Sequence, residues 1–231
     1  MPRRSAKDSA FSFSQEALRN LAQSVLDHAK KHGATACEVD VSEGLGQSIS
    51  VRRQAVETIE YNRDKGLGVT VYIGQRRGHA SSSDFSPSAV KDTVAAALSI
   101  ARFTAEDDCA GLPDVKLLAK KSMDLDLFHP WNISVDEAIA LAQRCEQGAL
   151  DVSPLISNSE GATVSAQQSQ FIAANSLGFM DGFASTRHYV SCSVIAGTGD
   201  DMQRDDWYTS SRDAQDFSAV ERIGDYAARR A

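Results

Sequence analysis

The 231-residue sequence contains no apolar run approaching the ~20 residues that a membrane-crossing helix needs. Its N-terminal region lacks the apolar core of a secretory signal. Cations are in deficit, with 24 Lys and Arg against 31 Asp and Glu and a net charge of −7. That balance argues against general phosphate-backbone binding, which depends on clustered Lys and Arg. The one basic cluster, Pro2-Arg3-Arg4 with Lys7, sits on a terminus expected to be disordered over residues 1–11. Cysteine pairs are absent too. Cys37, Cys109, Cys145 and Cys192 are scattered, with no Cys-x-x-Cys and no His at zinc-finger spacing. Isolated thiols of this kind are expected to be small buried hydrophobes in a reducing compartment. These absences predict a cytoplasmic protein with neither a membrane nor a nucleic-acid partner.

What is present is alternation. Apolar and polar residues alternate through Ala36–Ser42, Ser48–Arg53, Val56–Tyr61, Gly68–Ile73 and His79–Ser83. Such period-two runs between Gly, Asp and Asn clusters predict half-buried antiparallel strands. Turns are expected at Glu43-Gly44-Leu45-Gly46, at Asn62–Gly66 and at Gly74–Gly78. Helical stripes flank this meander. Leu18, Leu21, Ala22, Val25 and Ala29 predict a helix from Gln15 to His32, closed by Gly33. Val90, Val94, Ala97, Leu98 and Ala101 predict a second, with Ser86 as N-cap and Pro87 in its first turn.

Regular patterning fades after Thr104, so residues 104–131 are read as a linker between a first domain at 12–103 and a second at 132–231. In the second, Ser134 and Glu137 form a capping box ahead of Ile139, Ala142, Cys145 and Ala149. Strands are expected over Ala162–Ala174, Phe179–Ala196 and Asp201–Ser211, then a helix opening at a capping box, Ser218 to Glu221. No internal repeat stands out. The predicted class is α+β: a helix–antiparallel meander–helix unit, then a helix with a second antiparallel sheet. Short turns between strands disfavour a doubly wound parallel sheet.

No constellation completes an active site. His28 and His32 share a helix face at i and i+4, as zinc ligands do, but Ala29 stands where a zincin has its general-base Glu. A third ligand is unidentified, so the pair is expected to be a solvated C-terminal helix face. Asp181, Ser185 and His188 make a hydrolase triad only on paper, because residues 185 and 188 point to opposite faces of one strand. Gly66-Leu67-Gly68 has no following helix to present N–H groups to a phosphate. Asp200, Asp201, Asp205 and Asp206 lack calcium-loop spacing, and Arg204 is their local counter-charge. His79 and His129 have no visible ligand partners. The expectation is no catalytic residue and no metal ligand in this chain.

Several separated segments resemble the TldD/PmbA family. They include Gly66-Leu67-Gly68-Val69-Thr70-Val71-Tyr72, Ala80-Ser81-Ser82-Ser83-Asp84-Phe85-Ser86-Pro87 and Asp124–Pro130. Ala184–His188, Ser193–Ala196 and Gly199–Asp205 extend the resemblance through the second half, closer to the PmbA (TldE) branch. The resemblance implies a cytosolic metallopeptidase of two related subunits. A TldD-like partner would carry zinc on a His-Glu-x-x-x-His motif, which this chain lacks. Implied substrates are flexible peptides such as bacteriocin precursors and antitoxins. Members are much longer, and Arg229-Arg230-Ala231 offers no helix stop, so a third domain is expected to follow. Two functions compete: the N-terminal part of a PmbA-like subunit, inactive alone, or a non-catalytic peptide-binding or assembly module. Neither the physiological peptide nor the receiving strand edge is written in the sequence.

Overall fold

A computed structural model describes residues 11–120 and 123–231; the expectation for the basic N-terminal cluster lies outside them. Helix α1 (Gln15–Lys31) begins at Ser14, whose hydroxyl accepts from Ala17 N, and ends at His32 and Gly33. Strands β1 (Ala36–Arg52), β2 (Ala55–Ile73) and β3 (Arg76–Ser82) follow, then α2 (Pro87–Phe103), capped by Ser86 as expected. After an irregular stretch containing one 3-10 turn at Val115–Leu117, α3 (Val135–Leu150) starts at the predicted Ser134–Glu137 capping box. Strands β4 (Ile156–Asn175), β5 (Met180–Asp181), β6 (Ala184–Ala196) and β7 (Gln203–Ser211) lead to α4 (Val220–Arg230).

All strand pairs are antiparallel, in one sheet of order β3-β2-β1-β4-β6-β7 with β5 beside β4. The α+β class therefore holds, and the two halves share this sheet through the β1–β4 pairing from Glu38↔Asn175 to Val51↔Ala162. Register sends Cys37, Val39, Val41, Ile49 and Val51 of β1 to one face, where all are buried. Helices α1 and α2 cover Cys37, Val39 and Val41 with Leu67, Val69 and Ile172. Ile49 and Val51 join Val164, Val190 and Val194 in a second cluster beneath α3 and α4. Burying each such aliphatic side chain contributes about 1.5–3 kcal/mol. The opposite face carries Glu38, Asp40, Ser42, Ser48 and Ser50 along β1, none of them buried.

Three local readings are corrected. Glu43–Gly46 and Asn62–Gly66 are not turns but lie opposite each other inside the β1–β2 ladder, Glu43↔Lys65 through Gly46↔Asn62. Gly46 is needed for close approach: a methyl there would overlap the Ala166 carbonyl and the Gln167 side chain. The real turn is Arg53-Gln54, two non-glycine residues at φ 50° and 64°. The box at Ser218 does not form, because α4 starts one residue late, behind Ala219, with no side-chain cap.

The fold also contains a repeat that residue identities hide. Phe11–Ala29 and Trp131–Ala149 align without a gap, Ser14 on Ser134. The buried positions coincide, Leu18, Ala22, Val25, Leu26 and Ala29 matching Ala138, Ala142, Cys145, Glu146 and Ala149. Each half runs helix, long strand, two further sheet strands, helix, with the short β5 added in the second. The halves meet about a pseudo-two-fold: Gln47 Nε2 donates to Ile133 O (2.6 Å), and Gln170 Nε2 donates to Phe13 O (2.7 Å).

Candidate functional site

Each constellation flagged in the sequence has an ordinary structural use. His28 and His32 stack at 4.0 Å between ring centroids, and His32 Nδ1 lies 2.8 Å from the His28 carbonyl, its hydrogen-bond acceptor. Partial burial, then the positive neighbours His32, Lys91 and Lys31, hold His28 below the usual imidazole range. Among the described residues, no three His, Cys, Asp or Glu side chains converge as a metal site would require. The described residues therefore hold no set that fits a catalytic zinc.

His188 is fully buried. Its Nε2–H donates to His129 O at 2.9 Å and its ring meets Trp131 edge-on. Burial depresses its pKa, outweighing the His129 carbonyl and Asp213. Ser185 pairs instead with Ser169 (3.1 Å), and Asp181 with Arg19 (3.1 Å), so the paper triad is not assembled. Arg204 binds Glu160 with Asp206 nearby at 3.9 Å, and Arg230 binds Asp205 at 3.1 Å. His79 Nδ1 pairs with Thr70 Oγ1 at 3.0 Å, and His129 lies between Asp126 and Asp213. Three thiols are buried and Cys109 is exposed, against expectation for that one. Burial and the Glu38 charge push Cys37 up to about 12. The hydrogen bond with Cys192, then burial, push Cys145 further up. Neither supplies a thiolate at neutral pH.

Two buried carboxylates escaped the sequence reading. Glu43 accepts from Ser12 N (2.7 Å), Phe13 N (3.2 Å) and Gln170 Nε2 (3.2 Å), tying the entry to α1 onto the sheet. Burial opposes its ionisation, but these bonds and the Ser12 hydroxyl outweigh it and hold the carboxyl below the usual range. Glu146 accepts from Arg53 N (2.8 Å), Gln54 N (2.6 Å), Gln54 Nε2 (3.0 Å) and Ser159 Oγ (2.5 Å). It clamps the left-handed turn at the β1–β2 tip. No sequence signal marks this turn, because its stabilising group lies on another element.

That clamp stands at one end of an exposed strand edge. Past the last β2–β3 partner, Leu67↔Ser82, no strand among the described residues pairs with the outer side of β2 from Ala55 to Gly66. Depressions close both ends. One of about 430 Å³ is lined by Arg52, Arg53, Ala55, Val56 and Glu57. One of about 360 Å³ lies where β3 parts from β2, among Lys65, Gly66, Gly68 and Ser81–Ser83. The two segments quoted first for the family resemblance meet at this second depression. An unpaired edge can donate and accept main-chain hydrogen bonds without activating water.

This architecture is that of a known class of solved proteins. A proposed modulator of DNA gyrase from Bacteroides thetaiotaomicron superposes with TM-score 0.84 at 22% identity, over 92% of this chain and 48% of that one. TldE from Thermococcus kodakarensis superposes at 0.72 with 15% identity, over 90% and 46%. Sequence then narrows the class. Residues 37–101 match domain 1 of the PmbA/TldA metallopeptidases, and residues 128–231 match their central domain. The metalloprotease PmbA of Escherichia coli O157:H7 is 47% identical over 205 residues, 89% of this chain and 45% of that protein. A PmbA homologue of Haemophilus influenzae is 40% identical over 94% and 48%. The chain belongs to the PmbA/TldD family, and it spans about half the length of the curated relatives it matches.

Proposed function

We propose that this chain forms the first and central domains of a PmbA (TldE)-type subunit of a two-subunit cytosolic metallopeptidase. It supplies architecture and peptide contacts, while a TldD-like partner supplies zinc and the hydrolytic chemistry. Peptide hydrolysis needs an activated water and a stabilised oxyanion. The observation that carries the proposal is the match of residues 37–101 and 128–231 to the first and central domains of the PmbA/TldA metallopeptidases, with 47% identity to a PmbA over 89% of this chain. Substrates are flexible peptides, with bacteriocin precursors and antitoxins as the candidates to try first. The exposed β2 edge is the contact surface offered to them.

The experiment is assembly with metal accounting. The full-length subunit containing this chain is mixed with its TldD-like partner, and the complex is isolated by size exclusion. The expected result is a stable heterodimer whose zinc follows the partner, with no zinc on this subunit alone. Tight zinc on this subunit, lost in His28→Ala, would overturn the division of labour. Failure to assemble would overturn the partnership.

A further inference from the structure

The repeat shows what fills such an edge. In the second half, β6 extends past its last partner on β7, His188↔Ser211, leaving residues 184–187 as the counterpart of the β2 edge. Backbone of the segment leading into α3 lies there. Thr186 N donates to Leu127 O at 2.9 Å, and His129 N donates to Thr186 Oγ1 at 3.0 Å. The β2 edge is longer and its outer side exposed, with Val56 at 45%, Ile59 at 47% and Tyr61 at 69% accessibility.

Its side chains are sorted by face. Ile59 stands opposite Ile49, Tyr61 opposite Gln47, Arg63 opposite Leu45 and Lys65 opposite Glu43, all on the helix side of the sheet. Val56 joins them through the shift in register after Ser50, opposite Val51. Thr58, Glu60, Asn62 and Asp64 fall on the open side. One end of the edge is thus apolar on the helix side, and the other is basic there and acidic on the open side.

Resting on the reading that this chain contacts flexible peptides, we infer that the Ala55–Gly66 edge binds one extended peptide stretch antiparallel to β2. Its N-terminal end lies beside Ser82 and its C-terminal end at Arg52 and Arg53. The polarity follows from β3, which already runs antiparallel along the neighbouring part of β2 and ends at Ser82, so the peptide continues its line. At a strand rise of about 3.4 Å per residue the edge accommodates about ten residues. Charge sets the preferred pattern. Acidic residues suit Lys65, basic ones suit Asp64 and Glu60, and β-branched ones suit Tyr61, Ile59 and Val56. The C-terminal carboxylate arrives where Arg52 holds Glu57 only loosely, at 3.8 Å.

The probe is the fluorescent peptide Glu-Lys-Glu-Thr-Val-Lys-Val-Thr-Lys-Val, titrated against the full-length subunit by anisotropy. Two N-methylated versions carry the methyl on alternate amides, in opposite phases. Only alternate residues of an added strand turn their N–H toward the neighbour, so one phase abolishes binding and the other preserves it. The double variant Ile59→Asp, Tyr61→Asp, at two exposed side chains of the edge, weakens binding about tenfold. No binding to the wild type, or equal loss from both phases, overturns the inference. Blocked heterodimer assembly in the double variant would also overturn it, by giving the edge to the partner subunit. Peptide cleavage by the wild-type pair that persists unchanged in the double variant rejects this edge while leaving the proposed function standing.

Discussion

Removing the fully buried Glu146 carboxylate should loosen the β1–β2 tip. Four donors converge on it, two of them amides of residues held at positive φ. In Glu146→Ala the Ser159 hydroxyl, 1% exposed, loses its acceptor. One stranded buried group costs about 1–3 kcal/mol, and each turn amide, partly reachable by water, about 1 kcal/mol. The sum is about 3–5 kcal/mol, in the range seen when one partner of a buried charged network is removed. For a chain of this size each kcal/mol lowers Tm by about 2–4 °C, so a fall of about 10 °C is expected. Glu146→Gln is the sharper probe. It keeps the shape but turns one acceptor into a donor facing N–H groups, costing about 2 kcal/mol. Urea unfolding followed by circular dichroism measures both. A Gln variant within about 0.5 kcal/mol of wild type would refute the clamp.

Acid stability should fall in two windows. His188 has a folded pKa depressed below 6.5, so its contribution is present above that pH and is lost as pH falls through and below it. His188→Phe should flatten that limb in a pH series of melting temperatures. Glu43 has a folded pKa depressed below 4.5, so its contribution is lost only at still lower pH, and Glu43→Gln should flatten the lower limb alone. Helices α3 and α4 touch backbone to backbone, and a methyl at Gly224 would overlap the Cys145 carbonyl and the Ala149 amide. Gly224→Ala should therefore destabilise by about 1–3 kcal/mol or more in the same urea assay, although Ala is the better helix former. An unchanged midpoint would show that the helices can separate freely.

Legibility in the sequence followed how local each determinant is. Helices α1, α2 and α3 announce themselves through stripes and caps, Ser86 with Pro87 and Ser134 with Glu137, because those groups lie within a turn of what they stabilise. The Arg53-Gln54 turn does not, since the carboxylate that satisfies its amides sits 92–93 residues away on α3. Gly44, Gly46 and Gly66 mimic turns, yet they lie within paired strands, and Gly46 serves a close approach to β4. The repeat stayed hidden because it conserves burial rather than identity, pairing Val25 with Cys145 and Leu26 with Glu146. Of the candidate site, the sequence suggested a peptide-binding role but no particular strand edge. Which edge is open depends on where β3 stops, and that is a property of the assembled sheet.

The central claim is a division of labour between subunits, and one assay tests it most directly. A flexible fluorogenic peptide is incubated with the purified chain, with the full-length subunit, and with that subunit plus a TldD-like partner, each with and without chelator. The account predicts cleavage only in the paired sample and its loss on chelation. Chelator-sensitive cleavage by this chain alone, in a preparation free of the partner, would contradict it.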